Sequence, residues 1–386
     1  MKKNVIGAAV AVLAASFATA ASAQSSVTLY GLVDAGLTYV NNVATGAPAG
    51  QPQKASLHAL TSGNLQESRW GLRGSEDLGG GMKAIFTLEN GFSVNSGEMG
   101  EGNKLFGRQA FVGVSSDVGT VTLGRQYDSV VDYLGPLSAA GTWGGTYFGH
   151  VAGNDNLNSN FSIANAIKFQ SLNYAGLSFS GLYGFSNQAG GFANNRAYSI
   201  GAGYANGPFK LGAAYMQGNG VNSATNSTLG AITDDEFVRT PALPGTRQRT
   251  FGAGASYAYD AMTFGAIWTQ SRLDNNNLEN SSLVYNNYEV NGRYLLTPAL
   301  SLGAAYTFTT EKASLSDTVK FHQFGIQADY ALSKRTDFHI EGVAQIGSGG
   351  REGYYPSASI ANNNGAFGAS SSSRQVLVNT GIRHRF

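Results

Sequence analysis

The chain predicts an all-β fold, a 16-stranded antiparallel transmembrane β-barrel, on three observations. Segments of about ten residues alternate apolar and polar positions with a period of two, the repeat of a pleated strand. The connectors between them alternate short and long, as a barrel with tight turns at one rim and loops at the other requires. Charged residues make up 13% of the 386 positions and 52 positions are Gly, about half and about twice the usual shares. The absence of Cys excludes a disulfide framework, thiolate zinc sites and Cys nucleophiles. A hydrophobic content of 42% excludes a disordered chain. Past the N-terminal segment there is no run of about 18 apolar residues, hence no helical membrane span. The near-neutral formal charge of +1 gives no general attraction to nucleic acid.

The first element is a leader. Lys2 and Lys3 precede an apolar stretch from Val5 to Ala15, and small residues follow, ending in Ala21-Ser22-Ala23. This is the order of a secretory signal peptide. Residues 1–23 are expected to be removed, leaving 24–386 as a single barrel domain. Removal takes away two of the 25 basic residues and none of the 24 acids, turning +1 into −1.

The strands follow. Leu177, Phe179, Gly181, Tyr183 and Phe185 fall on one face, as do Phe251, Ala253, Ala255, Tyr257 and Tyr259. Met262 to Trp268, Tyr288 to Leu296, Leu300 to Phe308 and Phe324 to Leu332 repeat the pattern without a charge on that face, while Glu289, Asn291, Arg293, Gln327 and Asp329 occupy the other. A soluble β-sandwich alternates too. Here, however, aromatics gather at segment ends (Tyr183/Phe185, Tyr257/Tyr259, Tyr306/Phe308), as interfacial girdles do, and the apolar face between them tolerates Ala and Gly, which suits lipid.

Short connectors are read at 77–81, 117–119, 175–176, 206–208, 259–261, 297–298 and 333–335, most with turn residues. Long ones, rich in Asn, Ser and Gly, are read at 43–66, 93–106, 129–164, 188–195, 219–246, 274–284, 314–319 and 349–372. All eight prolines lie in connectors or at strand starts, where a missing N–H does not interrupt a ladder. The last strand, Gln375 to Phe386, places Val376, Val378, Thr380, Ile382, His384 and Phe386 on one face.

Several stretches resemble the trimeric general porins of Gram-negative bacteria, particularly the β-proteobacterial branch. They are Ser26-Val27-Thr28-Leu29-Tyr30-Gly31-Leu32-Val33-Asp34-Ala35-Gly36, Ser68-Arg69-Trp70-Gly71-Leu72-Arg73-Gly74, Gly107-Arg108-Gln109-Ala110-Phe111-Val112-Gly113, Gly119-Thr120-Val121-Thr122-Leu123-Gly124-Arg125-Gln126 and Gly381-Ile382-Arg383-His384-Arg385-Phe386. Their order and spacing span the whole expected mature chain. The resemblance implies a homotrimer in the bacterial outer membrane, in contact with lipid including lipopolysaccharide, inserted by the barrel assembly machinery with terminal Phe386 as assembly signal. It implies passive diffusion of small hydrophilic solutes and ions.

It also implies that the third long loop folds into the barrel as a constriction facing arginines on the wall. The matching wall positions are Arg69, Arg108 and Arg125, and alternation adds Arg73 beside Arg69. A lipid-facing Arg at mid-depth costs about 2–4 kcal/mol, so the lumen is the expected side. For Arg125 the assignment rests on the resemblance, because Val121 and Leu123 share its parity. The loop is expected within 129–164, with Asp128 and Asp132 near its start. Its Gly141-Thr142-Trp143-Gly144-Gly145 resembles a tip motif that commonly carries an acid where Thr142 stands, and no acid occurs from Leu134 to Asn154. Arginines with few opposing carboxylates favour anions, so a moderate anion preference is expected.

Other chemistry is not legible. His58, His150, His322, His339 and His384 have no metal-ligand spacing, and neither a nucleophile elbow nor a phosphate loop occurs. No cofactor, metal or enzymatic activity is expected. Gly252-Ala253-Gly254 lies on an alternating strand, and Asp234-Asp235-Glu236 reads as a solvated charge run with divalent-cation binding as the alternative. A substrate-selective channel for sugars or organic anions is the competing function, for which Tyr133, Trp143, Tyr147 and Phe148 would supply an aromatic track. A barrel hydrolase or adhesin is a third reading, and a hydrolase would need a nucleophile with a positioned base.

Overall fold

A computed structural model describes residues 25–45, 53–221, 230–232, 246–275, 281–313, 317–350, 356–360, 367 and 370–386. Within them the chain forms β1 (Ser26–Thr45), β2 (Gln53–Ser62), β3 (Arg69–Gly79), β4 (Met82–Gly91), β5 (Gln109–Ser115), β6 (Gly119–Gln126), β7 (Ile163–Ser171), β8 (Leu177–Gly184) and β9 (Ala197–Asn206). β10 (Phe209–Val221), β11 (Thr246–Tyr259), β12 (Met262–Asn275), β13 (Ser281–Leu295), β14 (Leu300–Ala313), β15 (Val319–Ala331), β16 (Thr336–Gly349) and β17 (Arg374–Arg385) complete the sheet. β1 pairs antiparallel with β2 and with β3, and from β3 onward consecutive strands pair antiparallel. The ring closes where β1 meets β17 in the register Leu32↔Arg385 to Val40↔Leu377. Closure leaves no edge, so the backbone needs no partner from the lipid.

Seventeen segments occupy sixteen positions, because β2 and β3 share one edge of β1: Ala35 to Thr45 pair with β2, and Ser26 to Leu32 with β3. The expected connector 43–66 is therefore corrected. Most of it is strand, interrupted by an inward excursion at 63–68. Asp34 causes the break. Its carboxylate accepts from Asn64 N (3.2 Å) and Nδ2 (3.1 Å), Leu65 N (2.8 Å) and Gln66 N (3.0 Å), holding the bent backbone against β1. The seven expected short connectors all fall at hairpin turns of this sheet. In the first, Gly79, Gly80 and Gly81 all take positive φ (79°, 61°, 80°), which L side chains resist.

The two faces invert the order of a soluble protein. Ile326 is 67% exposed and Ile340 50% on the outer face, while Gln323, Gln327, Thr307, Thr309, Asn287 and Glu289 are buried inside. A continuous outward apolar face needs an apolar partner, and a membrane supplies it. Ring pairs mark the rims: Tyr183 with Phe185 (5.0 Å), Tyr306 with Phe324 (4.8 Å) and Phe251 with Trp268 (5.6 Å). At the seam Phe386 exchanges backbone hydrogen bonds with Gly31 (3.2 and 3.0 Å), and its ring lies where a Cβ on Gly31 would be. His384 faces outward and bonds Thr336.

Candidate pore constriction

Between β6 and β7 the chain does not leave the barrel. Asp128 caps a helix, Ser129–Tyr133, by accepting from Val130 N (2.7 Å), and it also holds Asn156 Nδ2 (2.6 Å) from the returning arm. Both ends of the loop are thus tied at its base. Asp132 pairs with Lys168 Nζ (2.7 Å) on β7. Burial pushes both carboxyls above the usual range, against the hydrogen bonds each accepts.

The outgoing arm lies on the inner wall because that wall is paved with glycine. A Cβ on Gly201 would strike the Tyr133 ring, one on Gly303 the Trp143 ring and one on Gly325 the Phe148 ring. Inner-face side chains then bind the loop backbone. Asn291 Nδ2 donates to Leu137 O (3.0 Å), Gln327 Nε2 to Trp143 O (2.8 Å), Gln323 Nε2 to Gly149 O (3.1 Å) and Gln248 Nε2 to Asn154 O (3.2 Å). The tip crosses to the excursion after β2, where Thr146 N donates to Asn64 O (2.9 Å) and Tyr147 OH to Asn64 Oδ1 (2.8 Å).

A buried charge network fastens the middle. Glu289 on β13 accepts from Ala139 N (2.7 Å) and from His150 Nε2 (3.0 Å), while His150 Nδ1 meets Asp155 (2.6 Å). Burial works against a charged His150, but Asp155 and then Glu289 outweigh it and raise its pKa from 6.5 to about 10. Asp155 is correspondingly lowered, its own burial being offset by His150.

What the loop leaves open is a cavity of about 900 Å³ between its uncharged face (Val131, Gly135, Pro136, Ala140, Gly141) and the wall of β3 to β5 with its loops. Arg69 and Arg108 line that wall together with Glu67, Glu89, Glu98 and Glu101. Arg108 Nε contacts Glu89 Oε1 (2.9 Å), its Nη1 contacts Glu67, and Glu101 lies at 3.8 Å. Arg69 Nε lies 3.8 Å from Glu89, whose Oε2 accepts from Tyr30 OH (2.9 Å).

The expected residues therefore divide. Arg69 and Arg108 come together in the cavity wall. Arg73 stands further along β3 with its guanidinium 5.3 Å from the Tyr30 ring centre. Arg125 is buried and donates to Gly107 O; the register shift between Gly124 and Gln126 breaks the alternation that grouped it with Val121 and Leu123. Asp128 and Asp132 hold the loop's base. Thr142 is exposed and its hydroxyl bonds the preceding turn. Trp143 points into the wall, Gly144 makes room for the Phe148 ring, and Gly145 takes φ 70° where the tip meets Asn64 and Leu65. Tyr133, Trp143 and Phe148 are buried and pack the loop against the wall, while Tyr147, also buried, is the one of the four that reaches the cavity lining. Glu89 was legible, since Phe86 and Leu88 fall on the opposite parity. Glu67 was not, because it sits in the break between β2 and β3, which the alternation does not signal. Asp234-Asp235-Glu236 lies outside the described residues. Gly303→Val is expected to displace Trp143 and cost about 1–3 kcal/mol, the usual range for overpacking. A lowered thermal midpoint together with an altered single-channel conductance checks this.

An inside-out barrel with a water-accessible passage beside an inward loop defines a membrane channel. The profile of the Gram-negative porin family matches residues 8–349, and the chain belongs to that family. It is 32% identical over 295 residues to an outer membrane porin protein of Bordetella pertussis, covering 70% of each chain. It is 29% identical over 350 residues to outer membrane porin protein 32 of Delftia acidovorans, covering 87% of each. Among solved structures, the anion-selective porin from Comamonas acidovorans superposes with a TM-score of 0.74 at 24% identity, over 94% of this chain and 100% of that one. An outer membrane protein of Vibrio cholerae in trimer form gives 0.66 at 16%, over 94% and 99%. The protein is an outer-membrane diffusion channel, multi-pass through its strands.

Proposed function

We propose that the channel passes small hydrophilic solutes and ions as a homotrimer, with a moderate preference for anions and no catalytic role. The observation that carries the preference is the uncharged loop face opposite Arg69 and Arg108. Guanidiniums without carboxylates across the passage attract anions. The anion-selective porin from Comamonas acidovorans, which shares the fold, supports the same sign. The trimer form of the Vibrio cholerae protein supports the assembly. Contact with lipopolysaccharide and insertion by the barrel assembly machinery, with Phe386 as its signal, complete the reading.

The wall glutamates favour a second reading, a weakly cation-preferring pore. Two of them, Glu67 and Glu89, are in direct contact with Arg108, which mutes the charge of both partners, so the anion reading rests chiefly on Arg69, 3.8 Å from Glu89. Reversal potentials of the purified protein in a planar bilayer with a KCl gradient separate the two. The anion sign is expected, and a clear cation sign overturns it.

A further inference from the structure

The cavity beside the inward loop carries both signs of charge on one side and none on the other. Arg69, Arg108, Glu67, Glu89, Glu98 and Glu101 line the side built by β3 to β5 and their connectors, while Val131, Pro136 and Ala140 line the loop side. Arg108 and Glu89 are turned toward each other and into the wall: they meet at 2.9 Å, and each side chain is 7% exposed. Three groups keep a face toward the cavity. Arg69 is 22% exposed, with Glu89 at 3.8 Å. Glu67 touches Arg108 through one oxygen and remains 39% exposed; its other oxygen lies over Gly91 and Gly100, where a Cβ would meet it at 2.8 and 3.1 Å. Glu98 is exposed, accepts from Ser96 Oγ (3.1 Å) and has no cation partner among the described residues.

Opposite charges on one wall act differently on ions and on dipolar solutes. Glu67 and Arg69 are two residues apart, at most about 7 Å of chain. Their fields oppose each other at a simple ion in the passage, which leaves only a moderate preference of one sign. A zwitterion offers each group its own counter-charge, so the two attractions add. Its carboxylate meets the forked donors of a guanidinium, and its ammonium donates to carboxylate oxygens. The uncharged side completes the match. In an α-amino acid both charges leave one carbon and the side chain points away from them. With the charges on the wall, that side chain faces Pro136 and Ala140 and loses water against apolar surface.

We propose that Arg69, Glu67 and Glu98 form a binding subsite for neutral α-amino acids, with the carboxylate on Arg69 and the ammonium on the two glutamates. This deepens the diffusion-channel reading and rests on it. The test is single-channel recording of the purified protein in about 0.1 M KCl, where a Debye length of about 10 Å leaves these contacts largely unscreened. Alanine, propionate and ethylammonium are added in separate titrations; they carry both charges, the carboxylate alone and the ammonium alone. Alanine is expected to lower the KCl current with saturation, at a half-saturating concentration about fivefold or more below that of either singly charged probe, the worth of one unit charge about 4 Å away in water. R69Q is expected to raise the half-saturating concentration of alanine and of propionate by about fivefold each. E98Q and E67Q are expected to raise it for alanine and not for propionate. Glu98 stands in an exposed connector, so E98Q gives the reading if R69Q folds poorly.

A current that falls in proportion to alanine, without saturation, overturns the proposal. Equal half-saturation by alanine and propionate makes this a plain anion site and overturns it too, as does an alanine response unchanged in E67Q and E98Q. A protein that opens no channels in KCl alone overturns the channel reading and the subsite with it. Open channels without a saturable response to alanine overturn the subsite alone.

Discussion

Replacing Glu289 with alanine is expected to free the inward loop from its wall at a cost of about 3–5 kcal/mol, the range for removing one partner of a buried ion pair. Three bonds are lost together: those from Ala139 N, Asn291 Nδ2 and His150 Nε2. The measurements are the thermal midpoint of the folded protein and the noise and size of its single-channel current. A quiet current of unchanged size from Glu289→Ala would show that the glycine-paved wall holds the loop without the charge network. The same network sets a pH window. His150 is raised from 6.5 to about 10, so its contribution is full below about 6.5 and is lost as pH rises through about 10. Asp155 is lowered from 3.8, so its contribution is present above that value and is lost as pH falls through its folded value. Current noise should therefore grow at both extremes, and the alkaline limb should vanish in His150→Asn.

Arg108→Ser and Glu67→Gln are expected to move ion selectivity in opposite directions. A unit charge about 4 Å from a permeant ion in a water-like medium is worth about 1 kcal/mol, or about fivefold in relative permeability. Arg108→Ser removes the cation that contacts Glu67 and Glu89, so the reversal potential should shift toward the cation sign. Glu67→Gln removes a half-exposed carboxylate from the same wall and should shift it toward the anion sign. Arg108→Lys keeps the charge and should hold most of the selectivity. Both shifts should shrink between about 0.1 M and 1 M salt as screening shortens. Shifts of the same sign in the two variants would mean that the passage runs elsewhere.

The lessons for sequence reading are specific. Period-two alternation with aromatics at segment ends defined the barrel, because each strand meets lipid on one face and water on the other, and that demand repeats in every strand. The turns were equally legible, since Gly79-Gly80-Gly81 and Asn206-Gly207-Pro208 can do little else. The break at 63–68 was not, because its cause is a single carboxylate, Asp34, on the neighbouring strand. Arg125 shows the same limit: a register shift at Gly124 overrides the parity that a local pattern assumes.

Charge balance along the cavity between loop and wall was decided at the tertiary level. The acid-free stretch from Leu134 to Asn154 could be read directly, and it does leave the loop face uncharged. Glu67 and Glu89 reach Arg108 from an excursion and a strand 41 and 19 residues away in sequence, and Glu101 joins them from the connecting turn. Which charges share a passage depends on where the wall folds. The alternation of single strands determined the wall itself, since each residue's face follows from its neighbours along the chain. The loop's path, the glycine bed that receives it and the pairing of the wall's arginines exist only once the barrel has closed, because each depends on contacts between residues that only the closed sheet brings together.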